Sequence, residues 1–114
     1  NKQWVHLMAF YIKQNDTSPN LRAILKDGDE VAVNLTGASI RFHMRTVGGE
    51  TAVVDADASI VTAESGIVQY IWDAADTATV GSYQAEFEVT FADTSVETFP
   101  NNGYIRIEIT DDIT

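Results

Sequence analysis

The sequence predicts an all-β protein built as one antiparallel β-sandwich over residues 1–114. Hydrophobic side chains recur at every second position, most regularly from Tyr83 to Phe91, which is the period of a strand with one buried face. Turn-forming residues interrupt the chain every ~8–12 residues, the spacing typical of sandwiches and barrels. A strand that carries Trp72, a corner that contains Asp76 and a strand that opens at Tyr83 together predict an immunoglobulin-like sandwich.

In the first half of the chain, the hydrophobic pattern predicts four strands. They cover Leu7–Gln14, Leu21–Lys26, Val31–Leu35 and Ala38–Arg45. The fourth alternates most clearly, with Ile40, Phe42 and Met44 directed inward. The dipeptide Asp27-Gly28 predicts a hairpin turn between the second and third strands, because glycine tolerates the positive φ that such turns require.

In the second half, the pattern is weaker at first. One or two strands are predicted between Thr51 and Thr62, with an interruption around Asp55-Ala-Asp57. The remaining predicted strands are Ile67–Trp72, Tyr83–Phe91, Val96–Phe99 and Ile105–Thr110. The first of these is apolar on both faces apart from Gln69, which predicts a central position in a sheet. Residues 74–78 are expected to form only a short turn of helix.

Charge and cysteine content argue against several classes of partner and chemistry. The formal net charge is −10, with only seven basic residues. Nucleic acids and anionic membrane surfaces attract clustered Lys and Arg, so we expect no nucleic acid and no membrane among the partners.

The absence of cysteine excludes disulfides and thiolate catalysis and indicates production in a reducing cytoplasm. The pattern of a signal peptide and a run long enough to cross a membrane are both missing.

The histidines give no sign of an active site. His6 and His43 are the only two, and His43 falls on the polar face of its strand between Arg41 and Arg45. A catalytic histidine needs an orienting carboxylate and a nucleophile, and the spacing indicates neither, so His43 is interpreted as a lone surface histidine. The sequence also lacks a nucleophile elbow and a phosphate-binding loop. We therefore predict no enzyme, no catalytic residue and no cofactor.

Carboxylates are the residues that come closest to a metal-binding pattern. They occur in short groups at Asp27-Gly-Asp-Glu30, Asp55-Ala-Asp57, Asp73 with Asp76, and Asp111-Asp112. Calcium requires six to eight oxygen ligands, and no group matches the spacing of the twelve-residue calcium loop. These residues are therefore expected to form turns, and no metal site is predicted.

Aromatic side chains are the remaining candidates for a binding site, because exposed rings can stack on sugars. The candidate platforms are Trp4, Tyr11, Tyr70, Trp72 and Tyr104. Tyr70 and Trp72 share a strand face with Val68, which predicts that they belong to the core. Tyr11 and Tyr104 fall opposite the apolar stripes of their strands and are expected to be exposed. Packing is favoured over ligand binding, since isolated exposed aromatic residues are normal.

A series of short motifs gives the chain a family resemblance. In order, they are Asp16-Thr-Ser-Pro-Asn-Leu21, Leu25-Lys-Asp-Gly28, Val33–Phe42, Gly66–Trp72, Asp76-Thr-Ala78, Gly81-Ser-Tyr83, and Phe99-Pro100 followed by Gly103-Tyr-Ile105. In this order and spacing the chain resembles the phage baseplate upper protein N-terminal domain family over about residues 10–110. It departs from the family at two turns, with Asn15-Asp16 in place of Gly-Asp and no glycine after Ala92-Asp93.

The resemblance implies a function that composition and spacing do not. It implies a non-enzymatic structural attachment module of a phage tail or baseplate, which docks a fibre or receptor-binding component through protein–protein contacts. The partners would be other tail or baseplate proteins, in a virion assembled from protein made in the bacterial cytoplasm. No family motif marks partner-binding residues, and a homo-oligomer is left open. Leu7–Gln14 is the predicted edge or swapped strand, since its terminal position leaves it free to move.

Two other functions compete with this one. A carbohydrate-binding module that recognises the host surface would present two or more exposed aromatic residues beside polar side chains. A bacterial surface or pilus-like adhesin domain would be preceded by a signal peptide in its gene.

Overall fold

The computed structural model describes the backbone of residues 3–5 and the full residues 9–113. Nine strands are present in these residues, together with two short 3₁₀ helices, Ala63–Ser65 and Ala74–Thr77. The strands are β1 (Gln3–Val5), β2 (Ala9–Lys13), β3 (Leu21–Ile24), β4 (Ser39–Thr46), β5 (Val54–Thr62), β6 (Ile67–Tyr70), β7 (Gly81–Thr90), β8 (Val96–Phe99) and β9 (Ile105–Thr110). The all-β prediction is therefore confirmed.

The strands form one strongly curved sheet in the order β1-β3-β6-β5-β4-β7-β9-β2, and β8 pairs with β7 beside β9. β1 and β2 follow each other closely along the chain but stand at opposite ends of this order, so the sheet curls into a nearly closed barrel. The sheet differs from the purely antiparallel prediction at its two ends. There β1 runs parallel to β3, and β2 runs parallel to β9.

The core contains the inward side of each alternating strand. Tyr83, Ala85, Phe87 and Val89 of β7 are all buried, as the alternation predicts. The other buried hydrophobic residues are Phe10, Ile12, Leu21, Ala23, Leu25, Leu35, Ile40, Phe42, Met44, Val54, Val68, Tyr70, Trp72, Phe99, Ile105, Ile107 and Ile109. They form a single cluster, so both walls of the curled sheet are joined by one hydrophobic core.

Aromatic rings form the centre of this core. The rings of Phe42 and Tyr70 stack with centroids 4.3 Å apart, and those of Phe10 and Trp72 stack at 5.7 Å. Trp72 also meets Phe42 and Tyr70 edge to face, at 5.8 and 5.2 Å. Such pairs add to the free energy of burial. Tyr70 and Trp72 are therefore core residues, as predicted, and neither is a ligand platform.

Two tyrosine hydroxyls fix the corner between β6 and β7. The hydroxyl of Tyr83 donates a hydrogen bond to the backbone oxygen of Thr79 at 2.6 Å, which is the geometry of a tyrosine corner. The hydroxyl of Tyr70 donates to Asp76 Oδ2 at 2.5 Å. Asp73 and Asp76 also form a capping box on the second 3₁₀ helix. The corner expected from Asp76 and Tyr83 is therefore confirmed.

The structure corrects two of the predicted strands. The interruption predicted at Asp55-Ala-Asp57 is wrong, because β5 runs unbroken from Val54 and shows an irregularity only between Ile60 and Thr62. The strand predicted at Val31–Leu35 is reduced to one bridge between Lys26 and Ala32. The amides of Val33 and Leu35 bond instead to the carbonyls of Leu25 and Ala63, neither of which lies in a strand.

The first predicted strand is present as β2, which lies at one end of the strand order as expected of an edge strand. Leu7 and Met8, its predicted first residues, lie outside the described residues. Phe10 and Ile12 are buried, so β2 contributes side chains to the core although it is an edge strand.

Candidate docking surface

The outward side of β4, β5 and β7 carries rows of polar side chains. We call this surface the charged face and define it by Arg41, His43, Arg45, Asp55, Asp57, Gln84, Glu86 and Glu88. β4 lies between the other two strands, so each of its outward residues has a partner directly opposite on one or both sides. Side chains that stand directly opposite each other on one face interact in pairs. The outward residues of β4 therefore determine how the polar side chains of β5 and β7 are paired across the charged face.

One row is centred on Arg41, which stands opposite Asp57 of β5 and Glu88 of β7. Its guanidinium contacts Asp55 Oδ1 at 2.6 Å and Asp57 Oδ1 at 2.8 Å, and it donates to the backbone oxygen of Asp55 at 2.9 Å. The hydrogen bond from Arg41 holds the pKa of the Asp55 carboxyl below its usual range. Arg41 thus contacts both aspartates and offsets part of their negative charge, and β5 continues through them.

The next row is centred on His43, which stands opposite Asp55 and Glu86. Its Nε2 lies 3.2 Å from Asp55 Oδ1, and its Nδ1 lies 3.8 Å from Glu86 Oε2. The interpretation of His43 as a lone surface histidine is therefore wrong, because strand pairing brings carboxylates to both of its ring nitrogens. His6 lies outside the described residues.

The third row joins Arg45 to Gln84 and to a tyrosine from a neighbouring loop. Arg45 Nε donates to Gln84 Oε1 at 3.3 Å, and its Nη2 donates to the hydroxyl of Tyr104 at 3.1 Å. The guanidinium carbon also lies 5.2 Å from the centroid of the Tyr104 ring, within the range of a cation–π contact. Arg45 therefore holds the exposed Tyr104 ring against the charged face.

A fourth row extends the pattern to β9. Ser82 and Glu108 are paired across β7 and β9, and the Ser82 hydroxyl donates to Glu108 Oε1 at 2.8 Å. Arg106 Nε lies 2.5 Å from Glu108 Oε2. The hydrogen bonds from Arg106 and Ser82 lower the pKa of Glu108. Polar pairing thus extends across four neighbouring strands.

One part of the charged face is an open depression of about 350 Å³. It is lined by His43, Met44, Arg45, Glu50, Ala52, Asp55, Gln84, Glu86 and Tyr104. Its lining includes no serine, threonine or cysteine among the residues that the structure describes. On its other side, His43 lines a second open depression together with Arg41, Asp57 and the hydroxyl-bearing residues Ser39 and Thr90.

The other residues predicted as binding candidates, the aromatic residues and the acidic groups, do not lie together at one site. Tyr11 and Tyr104 are 56 % and 45 % exposed, which confirms the expectation for both, while the side chain of Trp4 is outside the described part of the chain. In the acidic groups, the Asp27 carboxylate accepts from the amides of Asp29 and Val31 within a turn. Within residues 3–5 and 9–113 no group of three or more His, Cys, Asp or Glu side chains is arranged so that it could hold a metal ion.

Sequence reasoning missed the charged face, although a signal for it was present. The alternation places Arg41, His43 and Arg45 on the outward side of the predicted fourth strand, and it places Glu86 and Glu88 on the outward side of the strand Tyr83–Phe91. What was lacking was the strand pairing that places them together with the aspartates of β5.

Comparison with known proteins gives the chain a family and a structural relative. The sequence profile of the BppU (baseplate upper protein) N-terminal domain matches residues 2–112. Among solved structures, the N-terminal domain of phage TP901-1 ORF48 is similar, with a TM-score of 0.63 and 13 % identity over 94 % of this chain and 98 % of that chain. At this identity the likeness shows the fold alone. No curated protein matches the chain. In the part of the chain that is described, no helix has the length and apolarity to span a membrane.

Proposed function

We propose a function from the premise that this chain belongs to the BppU N-terminal domain family. The family is one of structural domains of the phage baseplate, which supports a location in the virion tail or baseplate and contacts with other tail proteins. Within that setting we propose a non-enzymatic attachment module that docks a fibre or receptor-binding component by protein–protein contacts. The carbohydrate-binding alternative receives no support from the comparisons.

The observation that carries the proposal is the charged face. Its arginines are already held by neighbouring side chains, Arg41 by two aspartates and Arg45 by Gln84 and Tyr104. Side chains ordered before binding lose less conformational entropy on association. A fixed pattern of charges also selects its partner, because a like charge placed opposite is repelled. The charged face is therefore suited to specific docking of a protein with a complementary pattern.

The charge of the charged face indicates the sign of the charge on the partner's docking surface. Four carboxylates on the charged face stand against two arginines, and Glu50 adds a further carboxylate at the depression. We therefore expect the docking surface of the partner to present Lys or Arg. Such contacts accelerate association and weaken as salt rises.

A binding experiment with matched charge reversals tests the proposal. The double variant Glu86→Lys with Glu88→Lys changes two half-buried carboxylates of the charged face. The control, Asp29→Lys with Glu30→Lys, makes the same change of charge in the exposed turn between residues 27 and 31. Each purified variant is titrated against the other baseplate proteins encoded by the same phage. We expect the first variant to bind about tenfold or more weakly and the control to bind as the unaltered chain does. Equal binding by both variants would refute the proposal.

Oligomeric state is a separate part of the proposal. β2 is joined to the sheet by a parallel pairing with β9 alone, among the pairings of the described strands. Its inward residues Phe10 and Ile12 would fill the same core sites if supplied by a second copy. Light scattering on freshly refolded protein at several concentrations tests this exchange. A dimer fraction that rises with protein concentration during refolding supports it, and a monomer under every condition contradicts it.

A further inference from the structure

The segment between β8 and β9 carries an asparagine followed by glycine. Asn102 and Gly103 are both exposed, and they lie in a bend that starts after Phe99. Gly103 has φ of +78°, and a side chain added there would meet nothing within 4 Å. The space beside the Cα of Gly103 is therefore open, at a loop position where covalent change is tolerated.

The other asparagines of the described chain are restrained where Asn102 is not. After Asn15 and Asn34, the next backbone amides are bonded, Asp16 N to Lys13 O at 3.1 Å and Leu35 N to Ala63 O at 2.8 Å. Asn20 is followed by Leu21, which is buried in β3.

Asn101 is restrained through its own side chain. Its amide donates to Thr98 O at 2.9 Å and to Glu97 Oε2 at 3.1 Å. Within the described residues, neither the Asn102 side chain nor the Gly103 amide makes a hydrogen bond. Among the described asparagines, Asn102 alone combines an exposed position, a following glycine and a side chain without a hydrogen bond.

We propose that Asn102-Gly103 is a site of spontaneous covalent modification through a cyclic imide. The backbone nitrogen of Gly103 loses its proton to solvent and attacks Cγ of Asn102. A carbon–nitrogen bond forms, the side-chain amide bond breaks, and the side-chain nitrogen takes a proton from solvent and leaves as ammonia. Water then opens the five-membered ring at either carbonyl and yields aspartate or isoaspartate. No oxidant, metal or enzyme takes part.

The product alters the margin of the charged face. Asn102 shares a surface depression with Glu86 and Tyr104, so modification adds a carboxylate beside an existing one. Isoaspartate also lengthens the main chain by one carbon between residue 102 and Gly103, two residues before Tyr104, which Arg45 holds. We expect the isoaspartate product to shift Tyr104 relative to Arg45, so that this margin of the charged face changes with time without any partner.

Peptide mapping by mass spectrometry of the folded chain, incubated in mildly alkaline buffer, tests the proposal. A synthetic peptide of residues 98–106 gives the reference rate. We expect conversion at Asn102 at a rate within about tenfold of the peptide, ahead of Asn15, Asn20, Asn34 and Asn101, since loop tips are open to solvent. Labelling by an isoaspartyl methyltransferase should appear in the unaltered chain and disappear in the variant Asn102→Gln. The matched variant Asn101→Gln should label as the unaltered chain does.

Two outcomes overturn the proposal. In one, Asn102 stays intact in the folded chain over a period in which the peptide converts completely. In the other, the methyl label persists in the Asn102→Gln variant, which would place the modification elsewhere.

Discussion

Single side chains in this protein act mainly by holding one another across paired strands. Arg41 spans Asp55 and Asp57, and Arg45 spans Gln84 and Tyr104. These groups are largely exposed, so each contact adds little to the free energy of folding. Their main effect is to fix the pattern of charge that the surface presents.

The buried tyrosine of the corner is a side chain with a larger effect on stability. We predict that Tyr83→Phe lowers the free energy of unfolding by about 1 kcal/mol, because the backbone oxygen of Thr79 loses its partner. Urea denaturation monitored by circular dichroism measures this. The control, Tyr104→Phe, removes an exposed hydroxyl and should cost less than about 0.5 kcal/mol. Equal losses in the two variants would contradict the assignment of the corner.

Acid should destabilise the chain through the paired carboxylates. The pKa values of Asp55 and Glu108 are lowered in the folded state, by Arg41 and by Arg106 with Ser82. A lowered pKa contributes stability that is present above the ordinary carboxyl pKa and is lost as pH falls through the lowered value. We therefore predict that the free energy of unfolding decreases from about pH 5 towards about pH 2.

A variant separates this effect from general acid denaturation. Urea unfolding at several pH values should give a shallower decrease for Arg41→Gln than for the unaltered chain, because Asp55 then titrates near its ordinary pKa. An identical slope for the two proteins would show that Arg41 does not set this dependence.

At the scale of elements, the turn after the first 3₁₀ helix is the most constrained connection. Gly66 ends that helix with φ of +67°, and a Cβ there would lie 2.8 Å from the backbone oxygens of Leu25 and Val33. We predict that Gly66→Ala costs about 2 kcal/mol or more, since left-handed geometry and contact with backbone atoms both oppose it. Thermal and urea unfolding measure the loss.

Gly28 provides the matched control for this substitution. No atom lies within 4 Å of a Cβ placed on it, and its φ is outside the left-handed region. Gly28→Ala should change the free energy of unfolding by less than about 1 kcal/mol. A Gly66→Ala variant as stable as Gly28→Ala would contradict the close packing at this turn.

The strand faces could be predicted because alternation is a local property. Phe42 and Phe87 are buried and Arg41 and Glu88 are outward, as a period of two requires. The same local rule failed at Asp55-Ala-Asp57, since two aspartates in a strand are unfavourable until a paired arginine compensates them. That arginine lies on another strand, so its effect cannot be deduced from the segment itself.

The candidate site was unpredictable for a related reason. The rows of the charged face join residues that are far apart in sequence, such as Arg45 with Gln84 and Tyr104. The parallel pairings of β1 and β2 are likewise long-range and leave no periodic signal. Family resemblance, carried by short motifs in order, predicted the function class where residue chemistry did not.

For the whole molecule, we propose that residues 1–114 act as one domain with one core. Phe10 of β2, at one end of the strand order, and Leu21 of β3, next to the other end, belong to the same cluster. A shared core predicts cooperative two-state unfolding. Tryptophan fluorescence and far-ultraviolet circular dichroism should therefore give coincident urea transitions. Two separated transitions would contradict a single domain.

Docking through the charged face is the central claim, and hydroxyl-radical footprinting of the assembled phage tests it most directly. Oxidation of each side chain in the particle is compared with that in the isolated chain. We predict that His43 and Tyr104 become protected in the particle, while Val31 and Ile71, exposed elsewhere on the chain, react as before. If His43 and Tyr104 are oxidised as readily in the particle as in the isolated chain, the charged face is not the docking surface.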